Sequence, residues 1–193
     1  MMHHLLSHPQ QIAAILPRYC EDGDTTVMLS MDGETILADV LVRSLLNKLS
    51  HLLAIDLNEL RKRAREITHG HILQPLAFGP KVLLCPMKVR HPSVKRDNCT
   101  GYINAYAIQS VEAAEHDGEK PHCIVHLRSG ISLDVLLSAE TVQHHLQMAR
   151  LVQDSAPYQL AFQQAPVKAE TRTRNIKLKP GQDIRILLEI SPG

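Results

Sequence analysis

The stretch HCIVHLRSGISLDVLLSAETVQHHLQMARLV, residues 122–152, decides the fold class. Two apolar runs, 122–127 and 131–136, are joined by residues 128–130, a short connection that ends in the glycine that tight hairpin turns favour. These runs predict two antiparallel strands. Ser138 then precedes a segment with helical apolar spacing, which predicts a helix capped by this serine. Antiparallel strands flanked by helices indicate an α+β fold.

A second hairpin is predicted near the start of the chain. Apolar runs at 25–29 and 35–37 flank residues 31–34, in which an Asp-Gly pair tolerates the positive φ of a tight turn. Before this hairpin, residues 10–16 form a brief apolar segment that ends at Pro17.

Two helices are predicted to follow this hairpin. Residues 39–53 carry apolar side chains at helical spacing, behind Asp39 as the expected cap. The next helix begins at Asp56, which stands three residues before Glu59 in a capping-box arrangement. The apolar stripe expected for this second helix consists of Leu57, Leu60, Ala64 and Ile67.

Short apolar runs punctuated by proline and glycine predict further strands in the middle of the chain. Residues 81–85 are the clearest of them, and residues 101–112 are expected to form one continuous strand. Between these two strands, residues 87–100 are polar, basic and interrupted by Pro92, so we expect an exposed loop there.

The composition supports one folded domain and weakens some classes of function. The 193 residues are 44% hydrophobic, enough for one substantial core. We expect an α+β domain over 1–156 and a C-terminal extension over 157–193, with an edge hairpin at 175–190. Aromatic residues make up only 3%, which leaves few rings to stack on unpaired bases and disfavours single-strand or RNA binding. The formal net charge of +1 does not by itself indicate a nucleic-acid partner.

The cysteines indicate a reducing compartment. None of them forms a CxxC pair and no signal peptide is recognisable, so we expect reduced thiols in a cytoplasmic protein. No apolar run is long enough to predict a membrane span. The four residues are Cys20, Cys85, Cys99 and Cys123.

Catalytic spacing is not evident, and the sequence predicts a protein that is not an enzyme and holds no cofactor or metal. One alternative remains open. Pairing of the two neighbouring strands could bring Cys85 and Cys99 together, with His69 or His71 as a further ligand. A thiol- or metal-dependent enzyme would be built on these residues.

Two basic segments are the candidates for binding. Arginine and lysine neutralise phosphate charge, and arginine can also enter a narrow minor groove. The alternative interpretation of such runs is a solvated surface without a ligand. The predicted DNA-contact residues are Arg61, Lys62, Arg63 and Arg65 on the second helix, and Lys88, Arg90, Lys95 and Arg96 in the loop.

Several short segments, in order, resemble the ComK family of competence transcription factors. Residues 61–71 are similar to the basic helix of that family and the turn after it, and residues 78–86 to a strand that ends in proline. Residues 98–104 resemble a segment in which a cysteine is followed by glycine, an aromatic residue and isoleucine. The same order of elements continues through 124–127 and the helix after it, so that the resemblance covers roughly 15–151.

The resemblance implies a non-catalytic transcription activator that binds AT-rich double-stranded promoter DNA as a homo-oligomer and switches on competence genes for DNA uptake. Arg61 and Lys62 match the basic pair of the family, whereas Tyr102 stands where the family has tryptophan. We then expect the basic helix and loop to contact phosphates, with DNA sequence read largely through shape. The alternative function is a non-catalytic adaptor that docks a protein partner through an exposed strand edge.

Overall fold

The computed structural model of the chain describes residues 2–20, 23–70, 73–92, 98–114 and 122–155. The helices in these ranges are α1 (Met2–Ser7), α2 (Val42–Leu52), α3 (Leu57–Thr68) and α4 (Ala139–Asp154). The strands are β1 (Ile12–Cys20), β2 (Gly23–Ser30), β3 (Thr35–Ala38), β4 (Leu76–Gly79), β5 (Val82–Lys88), β6 (Thr100–Asn104), β7 (Ile108–Ala113), β8 (Cys123–Leu127) and β9 (Ser132–Val135). Single 3-10 turns lie at Pro9–Gln11 and Ala105–Ala107.

These strands form two antiparallel sheets. The larger has the order β3-β2-β1-β6-β5-β4, and the smaller has the order β7-β8-β9. One hydrophobic core contains buried side chains from both sheets and from all four helices. The predicted α+β class is therefore confirmed.

Both predicted hairpins are present. In the β2–β3 hairpin Gly33 has φ 88°, and the N–H of Ser30 donates to the carbonyl of Glu34 over 2.9 Å. In the β8–β9 hairpin Gly130 has φ 85°, and the N–H of Leu127 donates to the carbonyl of Ile131 over 2.8 Å. Each glycine adopts the backbone conformation that a side chain disfavours.

The apolar segment before Pro17 is the start of β1, a central strand that continues through the proline to Cys20. Pro17 pairs with Thr26 of β2, whereas the pairing of β1 with β6 stops at Ile15. Proline is tolerated there because no strand on the β6 side requires an N–H at that position. The proline therefore marks where the strand loses one of its two neighbours.

The predicted strand at 101–112 is wrong in one respect, because it is two strands in different sheets. The turn at Ala105–Ala107 separates β6 from β7 and moves the chain from the larger sheet to the smaller one. Asn104 begins this turn, and its side chain accepts a hydrogen bond from the N–H of Tyr106 over 3.2 Å. The predicted strand is thus interrupted by the hydrogen bond of the Asn104 side chain, and not by a glycine or a proline.

Asn104 is fully buried and its amide uses all four of its hydrogen-bonding positions. Its oxygen accepts from the N–H of Leu83 over 3.3 Å as well as from Tyr106. Its nitrogen donates to the carbonyls of Ile12 over 2.9 Å and Lys81 over 3.0 Å. One side chain therefore connects β1, the start of β5, β6 and the turn into the second sheet.

Replacement of this amide should be among the most damaging single changes in the fold. We expect Asn104→Ala to lower the free energy of unfolding by about 3–4 kcal/mol, because it leaves buried backbone groups without partners. The matched control is Asn98→Ala, since Asn98 is half-buried and its Oδ1 accepts from the N–H of Thr100 over 3.2 Å. We expect this control to lose about 1 kcal/mol or less in urea unfolding. Equal losses for the two variants would contradict the structural role of Asn104.

The three longer helices agree with the predictions except at the start of α2, whereas α1 was not predicted. Leu41, not Asp39, is the N-cap and provides no side-chain hydrogen bond, and the exposed Val40 and Leu41 lie before the helix. α3 begins after Asp56, and α4 begins after Ser138, whose hydroxyl accepts from the N–H of Thr141 over 3.2 Å. The predicted caps of α3 and α4 are confirmed.

The expected exposed loop at 87–100 is wrong for its first residues. β5 extends to Lys88, and the side chain of Met87 is fully buried. Residues 93–97 and the predicted extension at 157–193, with its hairpin at 175–190, lie outside the described residues. No helix within the described ranges is long and apolar enough to cross a membrane.

Candidate nucleic-acid interface

Side-chain and backbone geometry fixes both ends of α3, the helix that carries four of the predicted DNA-contact residues. Oδ1 of Asp56 accepts from the N–H groups of Asn58 over 2.7 Å and Glu59 over 3.2 Å. These bonds satisfy two amides that a helix start otherwise leaves unpaired. At the other end His69 adopts the left-handed conformation, with φ 51°. The helix is thereby held to a defined length.

The chain after α3 is anchored by the buried side chain of Gln74. The hydroxyl of Thr68 donates to Oε1 of Gln74 over 2.8 Å, and Nε2 of Gln74 donates to the carbonyl of Gly70 over 3.0 Å. This network connects the last turn of α3 to the segment before β4 and thereby fixes the position of the C-terminal end of the helix.

One face of α3 is buried against α4 and β4. Leu57, Leu60 and Ala64 are buried, and Ile67 is half-buried and packs against the same core. The predicted apolar stripe is confirmed. This stripe determines which other residues of the helix face solvent, because successive residues of an α-helix are rotated by about 100°.

The solvent-facing surface of α3 divides into two faces of different charge. The residues that follow each buried position by one are rotated to one side of the apolar stripe, and those that precede it by one are rotated to the other. Asn58, Arg61 and Arg65 lie on the first side, and Lys62 lies opposite the stripe, at the boundary between the two sides; these four residues are here called the basic face. The second side, here called the mixed face, consists of Glu59, Arg63 and Glu66.

The basic face contains three cations and no carboxylate. Asn58, Lys62 and Arg65 are exposed and Arg61 is half-exposed. Nζ of Lys62 lies 3.7 Å from Oε1 of Glu59 across the boundary to the mixed face. Since 64% of the lysine side chain and 51% of the glutamate side chain are exposed, this ion pair is weak and leaves the lysine able to bind an anion.

Arg63 is separated from the other predicted cations of the helix. It lies on the mixed face, three residues from Glu66 and four from Glu59, the spacings at which helical side chains are neighbours. Lys62 has the same two glutamates at these spacings and forms the ion pair with Glu59. Arg61 and Arg65 are therefore the cations of α3 that have no carboxylate neighbour on the helix.

Arg90 of the predicted basic loop is held inside the protein. Its Nη2 donates to Oδ1 of Asp24 over 2.7 Å, and its Nε donates to the carbonyl of Asn98 over 2.8 Å. Its guanidinium also lies 3.8 Å from the centre of the Tyr19 ring, a cation-π arrangement. Only 11% of the side chain is exposed. These contacts hold Arg90 against β1 and β2, so its guanidinium is not available to bind DNA phosphates.

Among the other cations of the predicted basic loop, Lys88 lies within the described residues. Lys88 is half-buried at the end of β5, and its carbonyl accepts from the N–H of Leu136 over 2.7 Å. Lys95 and Arg96 lie outside the described residues. The basic face of α3 is therefore the candidate interface that the described structure assembles.

The strand register contradicts the prediction that Cys85 and Cys99 share one site, and His71 lies outside the described residues. Cys85 pairs with Ile103 of β6. The backbone carbonyl of Cys99 instead accepts from the N–H of Val89, so Cys99 lies beside Val89, which is four residues after Cys85 in the chain. Four residues of strand span about 13 Å, too far for two cysteines to share an ion. Within the described ranges, no three His, Cys, Asp or Glu side chains converge as a metal site requires.

A chain of Ser, His and Glu side chains on the outer face of the smaller sheet was not found from the sequence. Nδ1 of His126 lies 2.8 Å from Oγ of Ser132, and Nε2 lies 3.4 Å from Oε2 of Glu112. These residues come from β7, β8 and β9, so only the strand register could have indicated them. Ser132 and Glu112 are exposed on open sheet surface, where the contacts connect three strands.

The chain was compared with known proteins and structures. No protein-family model matches it, and neither the curated proteins nor the solved structures give a match. A function for this chain must therefore be inferred from its residues and from the geometry of α3.

The burial of Cys85 predicts its chemical behaviour. The thiol is fully buried, and this burial raises its pKa to about 12, so that the reactive thiolate is scarce at neutral pH. We expect a thiol-specific reagent at pH 8 to leave Cys85 unmodified in the native protein. Cys99, which is half-buried, should react, and both should react in denaturant. Peptide mapping by mass spectrometry distinguishes the two sites, and equal native labelling would restore the thiol-based alternative.

Proposed function

We propose that this protein is a transcription activator of the ComK type that binds AT-rich double-stranded DNA as a homo-oligomer and regulates competence genes. The observation that carries the proposal is the basic face of α3, which presents Asn58, Arg61 and Arg65 on the side away from the glutamates, with Lys62 at its boundary. DNA offers a dense row of phosphates, and lysine and arginine bind it by displacing its counterions.

The local charge supports this proposal better than the total charge does. The chain as a whole has a formal charge of +1, but residues 42–68 contain six lysine and arginine residues against three aspartate and glutamate residues. The excess falls on α2 and α3, and within α3 the carboxylates Glu59 and Glu66 lie on the mixed face. A near-neutral protein can therefore present a surface that attracts DNA.

The resemblance to the ComK family contributes the finer parts of the proposal. The AT-rich preference, the activator role, the homo-oligomer and the competence genes come from that resemblance. Arg61 and Lys62, the residues that match the basic pair of the family, both belong to the basic face.

A second candidate function is the adaptor that docks a protein partner. The observation that favours it is an exposed apolar group at the edge of the larger sheet, where Leu37 is 57% exposed, Leu41 48% and Val40 37%. An edge strand with unpaired backbone groups can accept a strand from another chain. A second copy of this chain could use the same edge.

The proposal is tested by fluorescence anisotropy on labelled AT-rich and GC-rich duplexes over a series of salt concentrations. We expect tighter and salt-dependent binding to the AT-rich duplex. The double variant Lys62→Ala with Arg65→Ala should bind at least about tenfold more weakly. The slope of log K against log salt concentration is negative, and its magnitude should decrease by about 1.8 in this variant. Each lost phosphate contact reduces that magnitude by about 0.9.

The matched control removes the same charge elsewhere. Arg63→Ala combined with Lys81→Ala changes one cation on the mixed face and one exposed cation between β4 and β5. We expect this control to retain the affinity and salt slope of the native protein within about twofold. Equal losses in both double variants would mean that total charge, not the basic face, governs binding. Absence of duplex binding by the folded native protein at low salt would refute the proposed function and favour the adaptor.

A further inference from the structure

One edge of the larger sheet is β3, which pairs with β2 and with no other described strand. The N–H of Ser30 donates to the carbonyl of Glu34, so the residues that bond to β2 are Glu34 and every second residue after it. The N–H and carbonyl groups of Thr35 and Leu37 therefore point away from β2, where a further strand can pair with them. The sequence of β3 contains no charged residue and no proline, which are features that protect edge strands from such pairing.

The two faces of the sheet differ in chemistry along this edge. Ile36 and Ala38 are buried on the face that packs on the core, whereas Leu37 is exposed on the opposite face. The exposed Val40 and Leu41 follow in the chain and extend the apolar surface past the end of β3. A strand added at this edge would therefore meet an apolar side chain on its outer face.

A cavity of about 300 Å³ lies on the other face, between α1 and the β2–β3 hairpin. Its lining combines the apolar Leu5 and Ile36 with His4 and with two carboxylate residues, Asp32 and Glu34. Because Glu34 directly precedes β3 and Ile36 belongs to it, the cavity lies beside the free edge. Lysine and arginine have an apolar stem and a cationic head, so their side chains suit a cavity with this lining.

The local charge indicates which kind of partner this edge accepts. Residues 30–41 contain three carboxylates, at Asp32, Glu34 and Asp39, and no lysine or arginine. Pairing of two copies of this edge would bring like charges together, which is unfavourable. The carboxylates also repel DNA phosphates, so the edge stays accessible when the basic face of α3 binds DNA as proposed. Charge complementarity therefore favours a basic segment of another protein.

We infer that the free edge of β3 binds an extended segment of a partner protein in which basic and apolar residues alternate. The backbone of this segment pairs with Thr35 and Leu37. Since successive side chains of a strand point to opposite faces, the basic ones reach the cavity beside Asp32 and Glu34, and the apolar ones pack on Leu37. This inference goes beyond the proposed function, because binding at β3 does not require DNA, and it defines the chemistry of a partner for this edge.

The test uses fluorescence anisotropy of the full-length chain with a labelled, end-blocked peptide of three Lys-Val repeats. We expect this peptide to bind at least about tenfold more tightly than a peptide of three Glu-Val repeats, because like charges oppose association. Methylation of the backbone nitrogens on the bonding side of the Lys-Val peptide should abolish binding, because strand addition depends on main-chain hydrogen bonds.

The protein variant removes charge and keeps the shape of the hairpin. Asp32→Asn with Glu34→Gln should bind the Lys-Val peptide at least about fivefold more weakly and retain duplex affinity, since Asn-Gly is as favourable as Asp-Gly in a tight turn. The matched control, Asp134→Asn with Glu140→Gln, neutralises two exposed carboxylates on β9 and α4 and should leave peptide binding unchanged. Circular dichroism checks that each variant is folded.

The inference is overturned if the Lys-Val peptide does not bind, if the methylated peptide binds equally well, or if both double variants lose the same affinity. Sedimentation of the native chain tests the other occupant of the edge. Self-association that Leu37→Asp abolishes, without peptide binding, would assign the edge to a second copy. Leu151→Asp is the control for that change, because Leu151 is 53% exposed and Leu37 57%. Peptide binding without duplex binding would refute the proposed function alone.

Discussion

The buried amide of Asn104 is the constraint on which the arrangement of the two sheets depends. It ends β6, begins the turn that carries the chain to β7, and bonds to the backbone of Ile12, Lys81 and Leu83. A buried amide with every position paired tolerates few alternative geometries, because each unpaired group would lose a hydrogen bond that water no longer replaces. The core formed by both sheets supports α4 and, through it and β4, the inner face of α3.

Local signals predicted the parts of the fold that local interactions determine. The two hairpins and the caps at Asp56 and Ser138 depend on residues within a few positions of one another, and each is present. The division of 101–112, the strand through Pro17 and the burial of Arg90 depend instead on partners far away in the chain, such as Ile12 and Asp24. No spacing in the sequence identifies those partners.

The candidate site was predicted as a set of cations and not as a surface, although the predicted apolar stripe of α3 already determined its two faces. The structure confirms this stripe. Once that stripe is known, the rotation of the helix separates Arg63 from the other cations and adds Asn58, which charge alone could not indicate. Under the proposed function, the chemical difference between the two faces would allow a protein of nearly zero net charge to bind a polyanion in one orientation.

The central proposal is that DNA meets the protein at α2 and α3. The direct measurement is nuclear magnetic resonance of the 15N-labelled protein during titration with an AT-rich duplex. The account predicts that the largest chemical-shift changes fall within residues 42–68 and include the side-chain amide of Asn58. Changes centred on the exposed edge at Leu37 or on the β1–β2 hairpin beside Arg90, with α3 unaffected, would contradict it.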